Sequence, residues 1–194
     1  MKEIVFATNN NHKLMEVKAI VGDSIILKSL NDIGCFVDIP ETGVTFEANA
    51  SQKSRYILEH YKLDCFADDS GLVVESLNNE PGVYSARYSG SRDMEKNISF
   101  LLKNLHGKSN RNAYFITVIS LVLNGQEYFF EGRINGKITQ ERLGEKGFGY
   151  DPIFVPEGFT KSFAEMDSKE KNTISHRAIA VKKLSEFLLN LPFQ

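Results

Sequence analysis

Hydrophobic and polar positions follow two periods along this chain, and they divide it into short strands and amphipathic helices. Ile4 to Ala7 is an apolar run that reads as a strand, and Thr8-Asn9-Asn10-Asn11 is a polar loop behind it. Leu14, Val17 and Val21 recur at helical spacing until Gly22 stops them. A second helix is predicted from Thr45, a suitable N-cap, with Phe46, Ala50, Ile57, Leu58 and Tyr61 on its apolar face. Asn49 and Lys53 lie one turn apart on another face of that helix. Cys65-Phe66-Ala67 reads as a buried strand running into Asp68-Asp69-Ser70-Gly71, and Leu72-Val73-Val74 continues as strand. Asp93 to Leu105 fits a helix, with Ile98, Leu101, Leu102 and Leu105 on one side. Tyr114 to Leu123 is apolar on both alternating faces, as in a central strand. Asn124-Gly125 is a hairpin signal, Tyr128-Phe129-Phe130 is its second strand, and Asn135-Gly136 marks a second turn. Gly147 to Pro152 reads as a loop before the strand Ile153-Phe154-Val155. A final helix carries Ala180, Leu184, Phe187, Leu188 and Leu191, with Ser175 as candidate cap. The pattern is α/β with a mixed sheet, without internal repeat or linker, as one domain over residues 1–194.

Composition narrows the function classes. The 194 residues are 42% hydrophobic and 25% charged, which excludes disorder and low complexity. Lys and Arg number 23 against 25 Asp and Glu, a net charge of −2, so no basic surface invites nucleic acid. The two cysteines, Cys35 and Cys65, lack metal-ligand spacing, and Cys65 reads as a buried thiol. The longest nearly apolar stretch, Ala113 to Leu123, falls short of the ~20 residues of a membrane span. The apolar run near the N-terminus is too short for a signal peptide. A soluble cytoplasmic protein is expected, with neither membrane nor nucleic-acid partner.

No phosphate-binding P-loop, dinucleotide fingerprint, zinc-helix motif or paired C-x-x-C occurs. Thr8 to Lys13 joins a strand to a helix, and its N–H groups, hydroxyl and lysine suit a phosphate; the plain alternative is a turn with Asn caps. Asp68-Asp69-Ser70 ends a buried strand, where a carboxylate could hold Mg²⁺ or take a proton from water; a solvated turn is the even alternative. Glu41 is a second possible metal carboxylate or an exposed loop charge. Gly147-Phe148-Gly149-Tyr150-Asp151-Pro152 could stack a base, or be a glycine-permitted turn with its aromatics in the core. Lys171 to Arg177 gathers cation-capable side chains at a helix start, where His176 alone would more often pack or cap.

In order, these segments resemble the inosine triphosphate pyrophosphatase family. The matching pieces are Thr8-x-Asn10-x-x-Lys13, Glu41-Thr42-Gly43-x-Thr45-Phe46 and Asn49-Ala50-x-x-Lys53. They continue with Ala67-Asp68-Asp69-Ser70-Gly71-Leu72, Pro81 to Tyr88, Gly147 to Pro152 and Ile174-Ser175-His176-Arg177, covering about residues 4 to 180. Each is weak alone and the ordered set is specific. Asn9 stands where members often have Gly, and Asn tolerates a left-handed backbone. The resemblance implies an elongated two-lobed α/β fold, a mixed β-sheet flanked by helices, with the nucleotide in a central cleft, usually as a homodimer. It implies hydrolysis of dITP, ITP and XTP to the monophosphate and pyrophosphate. It also implies Mg²⁺ held by Glu41 and Asp69, with Asp69 as general base. Thr8, Asn9, Asn10, Asn11, His12 and Lys13, with Lys53 and Lys171, would hold the triphosphate. Ser70, Phe148, Gly149, Tyr150, Asp151, His176 and Arg177 would line the nucleoside pocket. Two rivals stand beside this reading: a diphosphatase for another modified nucleotide, and a nucleotide-binding regulator without catalysis.

Overall fold

A computed structural model describes residues 2–191. The strands are β1 (Lys2–Phe6), β2 (Ile25–Lys28), β3 (Cys65–Val74), β4 (Asn112–Leu123), β5 (Gln126–Ile138) and β6 (Phe154–Pro156). The helices are α1 (Asn11–Val21), α2 (Phe46–Tyr61), α3 (Met94–Asn104), α4 (Ser168–Ile174) and α5 (His176–Asn190). The six-stranded sheet has the order β2-β1-β3-β4-β5-β6. β1 runs parallel to β2 and β3, while β5 and β6 are antiparallel, so the sheet is mixed, as expected. No helix among the described residues is long and apolar enough to cross a membrane.

The chain divides into two compact units. The first comprises Met1–Asp69, Thr117–Gly132 and Arg177–Gln194, and the second Ser70–Ile116 and Arg133–His176. In the first unit, the strand period of two separates two cores. Ile4 and Phe6 of β1 and Phe66 of β3 pack with Val17, Val21, Val181 and Leu184 of α1 and α5. Val5, Ala7, Cys65 and Ala67 face the other way, toward Ile57 of α2. Phe6 and Phe66 stack with ring centroids 4.6 Å apart, in the register that pairs these residues. The second unit has its own core, in which Leu72 and Val74 meet Ile98 and Leu101 of α3 with Phe115, Phe154 and Phe163.

Local chemistry sets the element ends. The Asn10 side chain accepts from His12 N and Lys13 N, so α1 begins at Asn11, which the sequence reading placed in the loop. Thr45 caps α2 through Ala48 N, as expected. Asn124 and Gly125 have φ of 51° and 78°, the signs a two-residue hairpin requires. β3 runs unbroken through Asp68-Asp69-Ser70-Gly71, so the solvated-turn alternative falls. Asn135-Gly136 makes no turn but lies inside β5, with Gly136 paired to Pro156. A Cβ on Gly136 would stand 2.4 Å from the Val155 carbonyl, so the glycine makes room for β6. The sequence reading did not contain β2 or α4, and Ser175 closes α4 with its N–H on the Lys171 carbonyl.

Candidate active site

The alternation that divides the first unit's cores also aims two adjacent carboxylates in opposite directions. Asp68 follows Phe66 toward α1 and α5, where its Oδ2 lies 2.9 Å from Lys13 Nζ and 3.5 Å from Arg177 Nε. Arg177 is fully buried and also pairs with Glu16 of α1. Asp69 follows Ala67 toward α2, where its Oδ2 accepts from Asn49 Nδ2 at 2.9 Å. Lys53, one turn beyond Asn49, donates to the Asp68 carbonyl at 2.6 Å and pairs with Glu41. Asn49 and Lys53 share the buried stripe of α2 with Ala50, Ser54 and Ile57, where the sequence reading set them on a separate face. That stripe tolerates polar groups because each is bonded: Ser54 Oγ, for example, lies 2.6 Å from Ser120 Oγ. Glu41 is half-buried and ion-paired, not a solvated loop charge.

Electrostatics distinguishes the two aspartates. Burial presses Asp68 toward its neutral form, but Lys13, Arg177 and Lys53 outweigh it and hold the carboxyl below the usual aspartate range. Burial also acts on Asp69, and Lys53, Lys13 and the Asn49 hydrogen bond offset it only in part, so its pKa is raised. Burial lowers Lys13 despite Asp68. Burial would lower Lys53 too, but Glu41, Asp68 and Asp69 raise it. Burial opposes the charge on Glu41, but Lys53 prevails and lowers its pKa. Four carboxylates, Glu16, Glu41, Asp68 and Asp69, thus meet three cations, Lys13, Lys53 and Arg177, around the middle of β3 and the start of α1.

Beside this cluster, the loop from Thr8 to Lys13 carries Thr8 and Asn10 half-buried and Asn9, Asn11 and His12 exposed. Thr8 Oγ1 accepts from Asn10 N at 3.2 Å, and Asn9 Nδ2 donates to the Val37 carbonyl at 3.3 Å. Lys13 thus stands in the first turn of α1, whose His12 and Lys13 N–H groups are capped by the Asn10 side chain.

The remaining candidates lie in the second unit, where Asp151 ties the Phe148 loop to Lys171. Asp151 Oδ2 accepts from Phe148 N at 2.8 Å and from Lys171 Nζ at 2.7 Å, with both charged residues buried. Lys171 Nζ also lies 4.9 Å from the centre of the Phe148 ring. Gly147 has φ of 75°, and a Cβ there would stand 2.1 Å from Asp151 Oδ2. Gly149, also left-handed, sits between Phe148 and Tyr150. Tyr150 is buried, which raises its pKa, and its hydroxyl donates to the Ser85 carbonyl at 2.9 Å. The His176 ring stacks on Phe115 with centroids 4.7 Å apart. Ser70 is half-buried on β3. Lys171 thus also orders the loop through Asp151.

Hard carboxylate oxygens on Glu41 and Asp69 suit Mg²⁺, which takes one or two carboxylates and fills its shell with water and substrate oxygens. No group of three or more His, Cys, Asp or Glu that could cage a metal alone occurs among the described residues. That donor set fits a cation completed by a phosphate substrate. From sequence, the i, i+4 spacing lets Asn49 and Lys53 point at one ligand, whereas no motif singles out Glu16.

A model of the Ham1 family matches residues 4–187. The chain belongs to the Ham1 family. It is 50% identical over 187 residues to a protein of Flavobacterium johnsoniae named dITP/XTP pyrophosphatase, covering 96% of this chain and 97% of that one. A Ham1 protein from Coxiella burnetii has a similar structure, with a TM-score of 0.91 and 38% identity over 98% of this chain and 100% of that one. The Staphylococcus aureus Ham1 protein gives 0.88 and 40% over 97% and 98%. Ham1 membership agrees with the resemblance carried by the ordered motifs, and the Ham1 structures share the α/β fold with its mixed sheet.

Proposed function

We propose that this protein is a Mg²⁺-dependent nucleoside triphosphate pyrophosphohydrolase. It converts dITP, ITP and XTP to the monophosphate and pyrophosphate, as a cytoplasmic homodimer that clears aberrant purine nucleotides. Family membership and the name of a half-identical relative support the substrate class. The observation that carries the chemistry is Asp69: a buried carboxylate of raised pKa, in the same cluster as Lys53, Lys13 and Glu41.

Lys13, Lys53 and the segment from Thr8 to His12 bind the phosphates, whose roughly four negative charges need a local cation cluster in a near-neutral protein. Asp69 accepts the proton of the attacking water. The water oxygen bonds to the α-phosphorus, the bond to the bridging oxygen breaks, and pyrophosphate leaves with the electron pair. Glu41 and Asp69 would hold Mg²⁺, which supplies positive charge against the phosphate oxygens when bound. Asp68 keeps Lys13 and Arg177 in place. In the second unit, Ser70, the Phe148–Asp151 loop and His176 are assigned to the nucleoside, and Lys171 to the triphosphate, its bond to Asp151 also ordering the loop. Arg177, whose side chain only donates, is assigned to a base oxygen.

The test is pyrophosphate release from dITP, ITP, XTP, GTP and ATP with and without Mg²⁺. Fast, Mg²⁺-dependent release from the first three is expected. Release of orthophosphate instead, or turnover only of a modified pyrimidine nucleotide, would replace this reading.

A further inference from the structure

We propose that Asn49 is a positioning residue that sets the separation of the Glu41 and Asp69 carboxylates by bridging Gly43 and Asp69 with the two ends of one amide. This rests on the reading above that these carboxylates hold the cation. Asn49 is 1% exposed. Its Oδ1 accepts from Gly43 N at 2.8 Å and its Nδ2 donates to Asp69 Oδ2 at 2.9 Å. One end faces an N–H and the other a carboxylate, so the amide has only one favourable orientation. A buried amide with both ends committed costs little, but leaving either partner unmatched is expensive.

The neighbours on α2 extend the same grip. Gln52 Oε1 accepts from Thr42 N at 3.0 Å, and Lys53 pairs with Glu41. Positions 49, 52 and 53 share one side of the helix, so three side chains hold residues 43, 42 and 41 in turn. Asn49 also bonds the Asp69 side chain. Gly43 is matched to this contact: a Cβ would meet Ala48 Cβ at 2.7 Å and Asn49 Oδ1 at 2.8 Å. Mg²⁺ demands near-ideal octahedral geometry at about 2.0–2.1 Å, so a small error in carboxylate spacing is costly.

The test uses Asn49→Ala, Gly43→Ala and the double variant. Mn²⁺ binding with a non-hydrolysable imido-triphosphate nucleotide is followed by electron paramagnetic resonance, beside the Mg²⁺ requirement of turnover. Each single variant should weaken Mn²⁺ binding and raise the half-saturating Mg²⁺ by ~10-fold or more, as loss of outer-shell support does. Nucleotide KM at saturating Mg²⁺ should stay within about 3-fold, and the double variant should be no worse than the worse single, because both break one link. Gly43→Ala alters a half-buried loop and so gives a reading even where Asn49→Ala does not fold. Folded Gly43→Ala with wild-type Mn²⁺ affinity, or single effects that multiply in the double, would overturn the role of Asn49. Wild-type protein that binds Mn²⁺ but releases no pyrophosphate would sink the proposed reaction, and the Mn²⁺ shifts would still decide on Asn49.

Discussion

Asp68 and Asp69 differ by one position and therefore by one face of β3, and that difference sets opposite titrations. For Asp68 the folded pKa is depressed by Lys13, Arg177 and Lys53 against the pull of burial. Its stabilisation is then fully present above the unfolded value near about 3.9 and fades as pH falls through the lower folded value. Asp68→Asn would take from buried Lys13 its carboxylate partner and leave Arg177 to Glu16, a loss of about 3–5 kcal/mol near neutral pH. Urea denaturation at several pH values should show that gap constant at neutrality and narrowing only below about pH 3.9. For Asp69 the sign reverses. Burial raises its folded pKa, so stability falls as pH rises from the unfolded value through the folded one, and the full cost of ionisation is present above it. Asp69→Asn, melted in EDTA at pH 7, should be at least as stable as the parent while pyrophosphate release falls by at least ~10²-fold. A folded Asp69→Asn protein with near-normal turnover would remove this residue from the mechanism.

At the scale of elements, the loop before β6 depends on one glycine. Gly147→Ala meets both a left-handed φ and Asp151 Oδ2 at 2.1 Å, so the Phe148 and Lys171 bonds to that carboxylate must yield. A loss of about 1–3 kcal/mol is expected, seen as a lower melting temperature, with nucleotide KM raised more than kcat is lowered. The opening of α1 carries another expectation. Lys13→Met and Lys53→Met should weaken ITP and XTP by similar factors in steady-state kinetics, and a large change in their ratio would move the lysine to the base. Elements were legible where a side chain acts on its own backbone, as at the Thr45 cap and the Asn124-Gly125 turn. Four-residue β2 and seven-residue α4 are too short to display a period. Asn135-Gly136 misleads because the small residue that permits a turn also permits the close approach of β6. Asp68-Asp69-Ser70-Gly71 favours turns by composition, but both carboxylates find buried partners and the strand continues.

At the scale of the molecule, two pairs of adjacent candidates fall in different units: Asp69 in the first and Ser70 in the second, His176 in the second and Arg177 in the first. Motif order could group them, but one-residue steps that change unit are invisible to spacing, so the individual partners were not legible. His176 stacks on Phe115, while Arg177 pairs with Glu16 and Asp68. That pairing sharpens the test of base choice. Hypoxanthine and xanthine present a keto oxygen at C6, and adenine an amino group. An arginine can donate to the oxygen but offers the amino group no acceptor. A site built around such a donor can reject the mismatched analogue by factors near ~10⁴. Such a donor disfavours ATP but not GTP, whose C6 oxygen is the same. Arg177→Ala should therefore lower kcat/KM for ITP steeply and the small activity on ATP much less. Because the same change leaves Asp68 and Glu16 without their arginine, stability and total activity fall under either role. Only the ratio of ITP to ATP separates them. A narrowed ratio assigns Arg177 to the base, and an unchanged ratio confines it to holding Asp68 and Glu16.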